Sequence, residues 1–169
     1  MPIDGIERSG RSRVYTGICQ RLEADPALKA AGVCWNFGDG VKRAARAGKP
    51  QVRLFPFLGP MSEYTEDSQR GNLDISVEMF IPTGPNPDVR DVLDLWTAIE
   101  DAIKSPGDRP KANKFESKLI NCGPHGQDAE TGRIVFSRPA NVRDEDRDGV
   151  PGFAAVGSMT LAILRVLNP

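Results

Sequence analysis

The chain has one histidine, and it stands in the run Cys122-Gly-Pro-His125-Gly-Gln-Asp128. A thiol, an imidazole and a carboxylate are the parts of an activated nucleophile: the imidazole takes the thiol proton and the carboxylate orients the imidazole. The glycines and proline between them describe a surface turn, however, and neighbours in sequence are not thereby within hydrogen-bonding reach. The bland reading, an exposed turn histidine, therefore competes with a small Cys/His-dependent enzyme. A second constellation is Asp144-Glu-Asp146-Arg-Asp148-Gly149. Carboxylates at alternate positions followed by glycine open a calcium loop, in which hard oxygens converge on one ion. The twelfth place, where a bidentate acid closes such a loop, is Ala155, and Arg147 adds a positive charge inside it. The motif thus predicts weak calcium binding at most, by a calcium-dependent binding module, or else a solvated acidic loop.

Other chemistries lack their residues. The three cysteines, Cys19, Cys34 and Cys122, never fall at C-x-x-C spacing, so neither a zinc knuckle nor a dithiol site is indicated, and an odd count suits free thiols. No phosphate-binding P-loop, G-x-S-x-G elbow or H-E-x-x-H helix is present, and Gly38-Asp39-Gly40 lacks the third glycine of a dinucleotide fingerprint. No cofactor and no metal is expected. With 22 Lys and Arg against 23 Asp and Glu, the formal charge of −1 is unlike the strongly basic balance of a general nucleic-acid binder. Near-neutrality also weakens self-repulsion and favours association. A local exception is the alanine-rich basic run 41–49, which reads as a solvated turn or as a patch facing an acidic partner.

The elements that would position these residues follow from periodicity. At 169 residues the chain matches the usual size of one domain, 1–169, with a polar lead-in over 1–11 that lacks the apolar core of a secretory leader. Val14, Ile18 and Leu22 fall four apart and predict a short amphipathic N-terminal helix. Asp25-Pro26 then reads as an N-cap and first helical position, with Gly32 as the stop. Val33 to Phe37 predicts a short strand. Gln51 to Leu58 predicts another, and Pro56, with no N–H for a ladder, places it at an edge or a bulge. Over Asn72 to Pro82, Leu73, Ile75, Val77, Met79 and Ile81 alternate with Asp74, Ser76, Glu78 and Phe80, giving one buried and one wet face. Val89, Val92, Leu93, Trp96, Ile99 and Ile103 recur at three and four, predicting an amphipathic helix of about four turns over 88–104 capped at Asn86-Pro87.

Weaker strands are expected over 115–122 and 133–137, and a long one over 152–167 whose doubly apolar end predicts a central position. Long loops are expected over 59–71, 105–114 and 138–152. Met61 and Tyr64, inside the first of these, are the side chains suited to contact a neighbouring subunit or partner. Helices, strands, helix, strands in that order predict an α+β fold, a mainly antiparallel sheet with the 88–104 helix on one face. Ile75, Val77, Trp96, Ile99, Leu161 and Ile163 are expected in one core. The most apolar stretch, 153–167, is too short and too polar to span a membrane.

One arrangement resembles a known family. A helix ending in an Ala/Gly turn (RLEADPALKAAGV), a strand with internal proline (QVRLFPFLG) and an alternating strand (GNLDISVEMFIPTG) follow one another. A Pro-led helix (NPDVRDVLDLWTAIEDAI) and a long final strand (FAAVGSMTLAILRVLNP) complete it. This looks like the tail-terminator, or tail-completion and neck, proteins of long-tailed bacteriophages and related particles. The resemblance implies a non-enzymatic virion subunit, a homo-oligomeric, hexameric ring that ends the tail tube and joins it to the head. Its implied partners are its own copies, the tail-tube protein and the head-completion or connector protein, with DNA at most passing through the lumen and no membrane. The implied location is the host cytoplasm during assembly, then the virion tail or neck. The family carries no catalytic signature, so the resemblance transfers no site residue.

Overall fold

A computed structural model describes residues 10–65, 68–84, 88–104 and 130–166. Three helices, α1 (Gly10–Ala24), α2 (Pro26–Ala31) and α3 (Arg90–Lys104), accompany five strands: β1 (Cys34–Asn36), β2 (Gln51–Thr65), β3 (Ser68–Pro82), β4 (Glu130–Arg147) and β5 (Val150–Val166). The strands form one sheet in the order β1-β2-β3-β5-β4. Only β1 and β2 run parallel; the other pairs are antiparallel. The fold is α+β, as the order of patterned segments predicts.

Local signals set the helix ends. The Asp25 carboxylate accepts from the N–H groups of Ala27 and Leu28, both at 3.0 Å, Pro26 opens α2, and Gly32 closes it at φ 71°. The Asn86-Pro87 pair expected to cap α3 lies outside the described residues. Just before the helix the Asp88 carboxylate accepts from the Arg90 N–H at 2.9 Å. Pro56 also follows its chemistry: β1 reaches only as far as Arg53 of β2, so beyond it the side of β2 away from β3 has no strand partner among the described residues.

Two expected loops are strands. Residues 59–65 and 68–71 belong to the paired strands β2 and β3, whose ladder continues from Met61↔Gly71 to Thr65↔Ser68 with register shifts after Leu58 and Glu63. Gly59 and Pro60 are absorbed by the first shift, and β5 pairs with β3 along the same stretch, up to Ser68↔Val166, so the backbone keeps partners. Residues 138–152 are likewise the closing part of the β4–β5 hairpin. Bulges between Ser137, Ala140 and Arg143 take up Pro139 and Asn141, and pairing runs on to Arg147↔Val150. Asp148 and Gly149 close it at φ 54° and 80°, the left-handed pair of a two-residue turn whose twist matches the strands. The expected 133–137 strand lies within β4, whereas 105–114 and 115–122 fall outside the described residues.

The core lies between one sheet face and the helices. Val52 and Leu54 of β2, Leu73 to Ile81 of β3 at alternate positions, and Ala155, Met159 and Leu161 of β5 meet Val14, Ile18 and Leu22 of α1 and Val92, Trp96, Ile99 and Ile103 of α3. Five of the six expected core residues, Ile75, Val77, Trp96, Ile99 and Leu161, are in this cluster. Ile163 pairs with Gly71, two places beyond Leu161, and its side chain lies outside the description. β5, flanked by β3 and β4, is central as expected.

Gly157 sets how closely α3 approaches. A Cβ there would stand 2.5 Å from two ring carbons of Trp96, so the indole lies directly on the β5 backbone. Trp96 also meets the Phe136 ring edge-on at 6.3 Å and donates its Nε1–H to Glu100 Oε1 at 2.6 Å. Gly157→Ala should therefore cost about 2–3 kcal/mol by overpacking. In a Trp96→Leu background the same substitution should cost much less, since the ring it strikes is gone. Denaturant unfolding of the four proteins of this cycle checks it, and equal costs in both backgrounds would refute the contact.

Candidate functional site

The most elaborate polar architecture surrounds β1. Parallel strands require a crossover, and here residues 37–50, with no helix, carry the chain from β1 back to the start of β2. Aromatic packing begins the crossover: Trp35 and Phe37 stack at 5.3 Å, and both are buried. Tyr15 of α1 directs its hydroxyl at the carbonyls of Phe37, 2.7 Å, and Leu54, 3.0 Å, tying the helix to the crossover and to β2. The basic run 41–49 then passes the outer side of β1. The N–H of Cys34 donates to Pro50 O at 2.8 Å, and the Arg46 N–H meets Cys34 Sγ at 3.2 Å.

Arg43 holds this loop down. Its Nε and Nη2 reach the two Glu23 oxygens of α1 at 2.9 and 3.3 Å, while Nη1 and Nη2 reach those of Asp39 at 2.9 and 3.0 Å. The guanidinium also lies 4.6 Å from the centre of the Phe37 ring, and its side chain is only 17% exposed. A planar five-donor fork can serve two carboxylates and an aromatic face at once; an ammonium cannot. The hydrogen bonds from Arg43 hold the Asp39 carboxyl below its ordinary value, and those same carboxylates raise Arg43 further above its own.

Two clefts of about 350 Å³ each flank β1. One is lined by Lys29, Cys34, Trp35, Arg46 and Glu23, the other by Asn36, Arg53, Glu78 and Arg147, and Arg43 borders both. Chemically the first offers a half-exposed thiol among cations, with its one carboxylate already engaged by Arg43. Cys19 is a different thiol. Burial against α1's core side pushes it up to about 12, and burial also raises the hydroxyl of Tyr15 beside it.

A second surface is the sheet face turned away from the helices. Arg53, whose guanidinium lies 3.7 Å from the Phe55 ring centre, begins it on β2. Phe57 is 59% exposed, Val135 53% and Val156 42%. Between these apolar groups Thr160 donates to Asp74 at 2.7 Å across β5 and β3. Near the β4–β5 turn Phe80 is buried beneath Arg147, 4.6 Å from its ring centre, and Glu145 ties Arg147 to Arg143.

Cys122, His125 and Asp128 lie outside the described residues. Met61 and Tyr64 belong to β2 and not to a loop, Met61 paired with Gly71 and Tyr64 at the register shift after Glu63, and their side chains lie outside the description. Asp144 and Asp146 stand on β4, exposed, and Asp148 in the two-residue turn, so a hairpin replaces the predicted acidic loop. There Asp146 Oδ1 accepts the Gly149 N–H at 2.8 Å, stabilising the turn. Among the described residues no group of three or more His, Cys, Asp or Glu converges as a metal site. No described helix is long and apolar enough to cross a membrane. What sequence reasoning missed was the Arg43 clamp. Asp39 and Arg43, opposite charges four apart, were a visible signal, but Glu23 comes from another element. No protein-family model matches the chain, and neither does any curated protein.

Two outcomes follow from this geometry. Because Asp39's folded value is depressed, the clamp's contribution is complete above the ordinary carboxylate value of 3.8 and is lost as pH falls through the lower folded one. Melting temperature should therefore drop on acidification below about pH 4, by less in Arg43→Ala, which at neutral pH should be about 1–2 kcal/mol less stable. Calorimetric scans from neutral to acid pH test both. Alkylation of the native protein at mildly alkaline pH, mapped by mass spectrometry, should modify Cys34 and spare Cys19 until the chain unfolds. Equal labelling of the two would contradict the burial of Cys19.

Proposed function

We propose that this chain is a structural subunit that assembles with its own copies into a ring on the end of a phage-type tail tube, where it joins tube to head. The observation that carries the reading is the open sheet face. Phe57, Val135 and Val156 stand exposed on it, beside side chains that form ion pairs and cross-strand hydrogen bonds. Such a surface offers contact area. The order and lengths of the elements support the same reading through their likeness to tail-terminator subunits. The long β2–β3 hairpin, which carries Met61 and Tyr64, gives such a subunit an arm with which to reach a neighbour or the tube. Closed symmetry satisfies every heterologous surface, where an open arrangement would grow filaments.

Light scattering and electron microscopy of the purified protein, alone and with isolated tail tubes, decide the matter. Closed rings, free or on tube ends, are the expected result; a strict monomer that never caps tubes would end the proposal. Phe57→Ser changes an exposed side chain and should leave melting unchanged within about 0.5 kcal/mol while weakening assembly or capping.

A further inference from the structure

We propose that the basic crossover loop beside β1 and the acidic solvent face of α3 are the two halves of one head-to-tail contact between copies of this chain. The inference rests on the assembly reading above and specifies its interface.

The charges are separated far more than the net charge of −1 suggests. Over 41–49 the ionisable residues are Lys42, Arg43, Arg46 and Lys49, all cationic. Arg43 is neutralised by Glu23 and Asp39, whereas Lys42, Arg46 and Lys49 are exposed, and Val41 stands exposed among them. On α3, Asp94 and Asp101 share the solvent face with Leu93 and Thr97, and all four are exposed. Arg90, at the start of that face, is occupied by Asp88 at 2.6 Å. Each surface thus presents an exposed aliphatic side chain beside exposed charges, cations on the loop and the carboxylates of Asp94 and Asp101 on α3, the anatomy of an interface with an apolar centre and a polar rim.

Their placement decides how they can meet. α1 lies over the β1–β2 side of the sheet, tied there by Tyr15 to Phe37 and Leu54, and the basic loop is pinned beyond it. α3 lies over the other half, its Trp96 against Gly157 of β5 and Phe136 of β4. The two surfaces are complementary to each other and not to themselves. Because they lie over different halves of the sheet, the loop of one copy can meet α3 of the next, a head-to-tail arrangement that generates a ring when the rotation closes. The Arg43 clamp and the Cys34–Pro50 hydrogen bond hold the loop in shape before contact, which lowers the ordering cost of association.

The test is a charge swap at exposed positions. One variant is Lys42→Glu with Arg46→Glu, which leaves Arg43 intact; the other is Asp94→Lys with Asp101→Lys, which spares the first turn of α3 and its favourable acidic charge. Sedimentation of each is followed at about 0.05 M and 0.5 M salt, since screening separates this contact from apolar ones. Circular dichroism melts establish that each variant is folded. If the helix pair misfolds, Asp94→Lys alone replaces it. Each variant by itself should self-associate at least about tenfold more weakly than the parent at low salt, because like charges now face each other. Mixing the two variants one to one should restore assembly, as alternating copies, and so should combining all four substitutions in one chain.

Variants that assemble like the parent overturn the contact while leaving the ring reading intact. So does a loss confined to the loop variant, which would pair the cations with a different acidic surface of the neighbouring copy, and so does a mixture that stays apart. A parent that remains monomeric at both salt concentrations and on tail tubes removes the ring reading together with this one.

Discussion

The structure depends on the seating of one indole on one glycine. Helices pack on sheets at a separation set by the side chains between them, and at Gly157 there is no side chain at all. Trp96 fills that space completely, since an added Cβ would stand 2.5 Å from its ring. From this contact follow the position of α3 over β5, the edge-on meeting with Phe136 of β4, and the burial of Ile99 and Ile103 along the same helix face. The large ring supplies in one residue the volume that several aliphatic side chains would otherwise provide. β5 repeats the device on its other face, where a Cβ at Gly152 would lie 2.5 Å from the Phe80 ring. A central strand with neighbours on both sides can afford two such positions because the ladder, not its side chains, holds the backbone.

A second constraint comes from the one parallel pair. β1 is only three residues long and could not hold an edge by itself. It is retained because its flanking loop is fastened at several points: the Trp35–Phe37 stack below, Tyr15 from α1, and the two-carboxylate grip on Arg43. That fastening also gives a run of cations a defined shape. In solution an alanine-rich basic segment would sample many conformations; here its backbone is bonded to the edge of β1 at Cys34. The electrostatics of this flank are therefore a consequence of how the crossover is solved, and the acidic face of α3 is its counterpart across the sheet.

Candidate chemistry and observed geometry part at the acidic run before the last strand. Asp144, Asp146 and Asp148 have calcium-loop spacing, yet Asp148-Gly149 is also a strong two-residue hairpin signal, and the hairpin prevails. Pairing gives every backbone group from Arg143 to Val150 a partner or solvent, whereas a loop around an ion would need a closing acid that the chain does not supply. The same competition extended β2 and β3 through residues that composition marks as a loop. Polar side chains are no obstacle to a strand whose outer face is wet, and proline and glycine are accommodated where the register shifts.

By itself the sequence determined the elements whose signals are local. The Asp25-Pro26 cap and Gly32 stop of α2, the nine-residue alternation of β3 and the edge character of Pro56 depend on backbone chemistry within a few residues, and each is present, as is the α3 stripe except at Val89 and Leu93, which are exposed. It also determined the α+β class and most of the core, because burial follows periodicity. Tertiary structure alone decided the lengths of the two hairpins, since ladder partners come from strands tens of residues away. It decided that Glu23 of α1 completes the grip on Arg43, that Gly157 is a seat for Trp96, and that opposite charges in a nearly neutral chain lie on opposite flanks. Each of these is a relation between distant residues, which spacing along the chain does not encode.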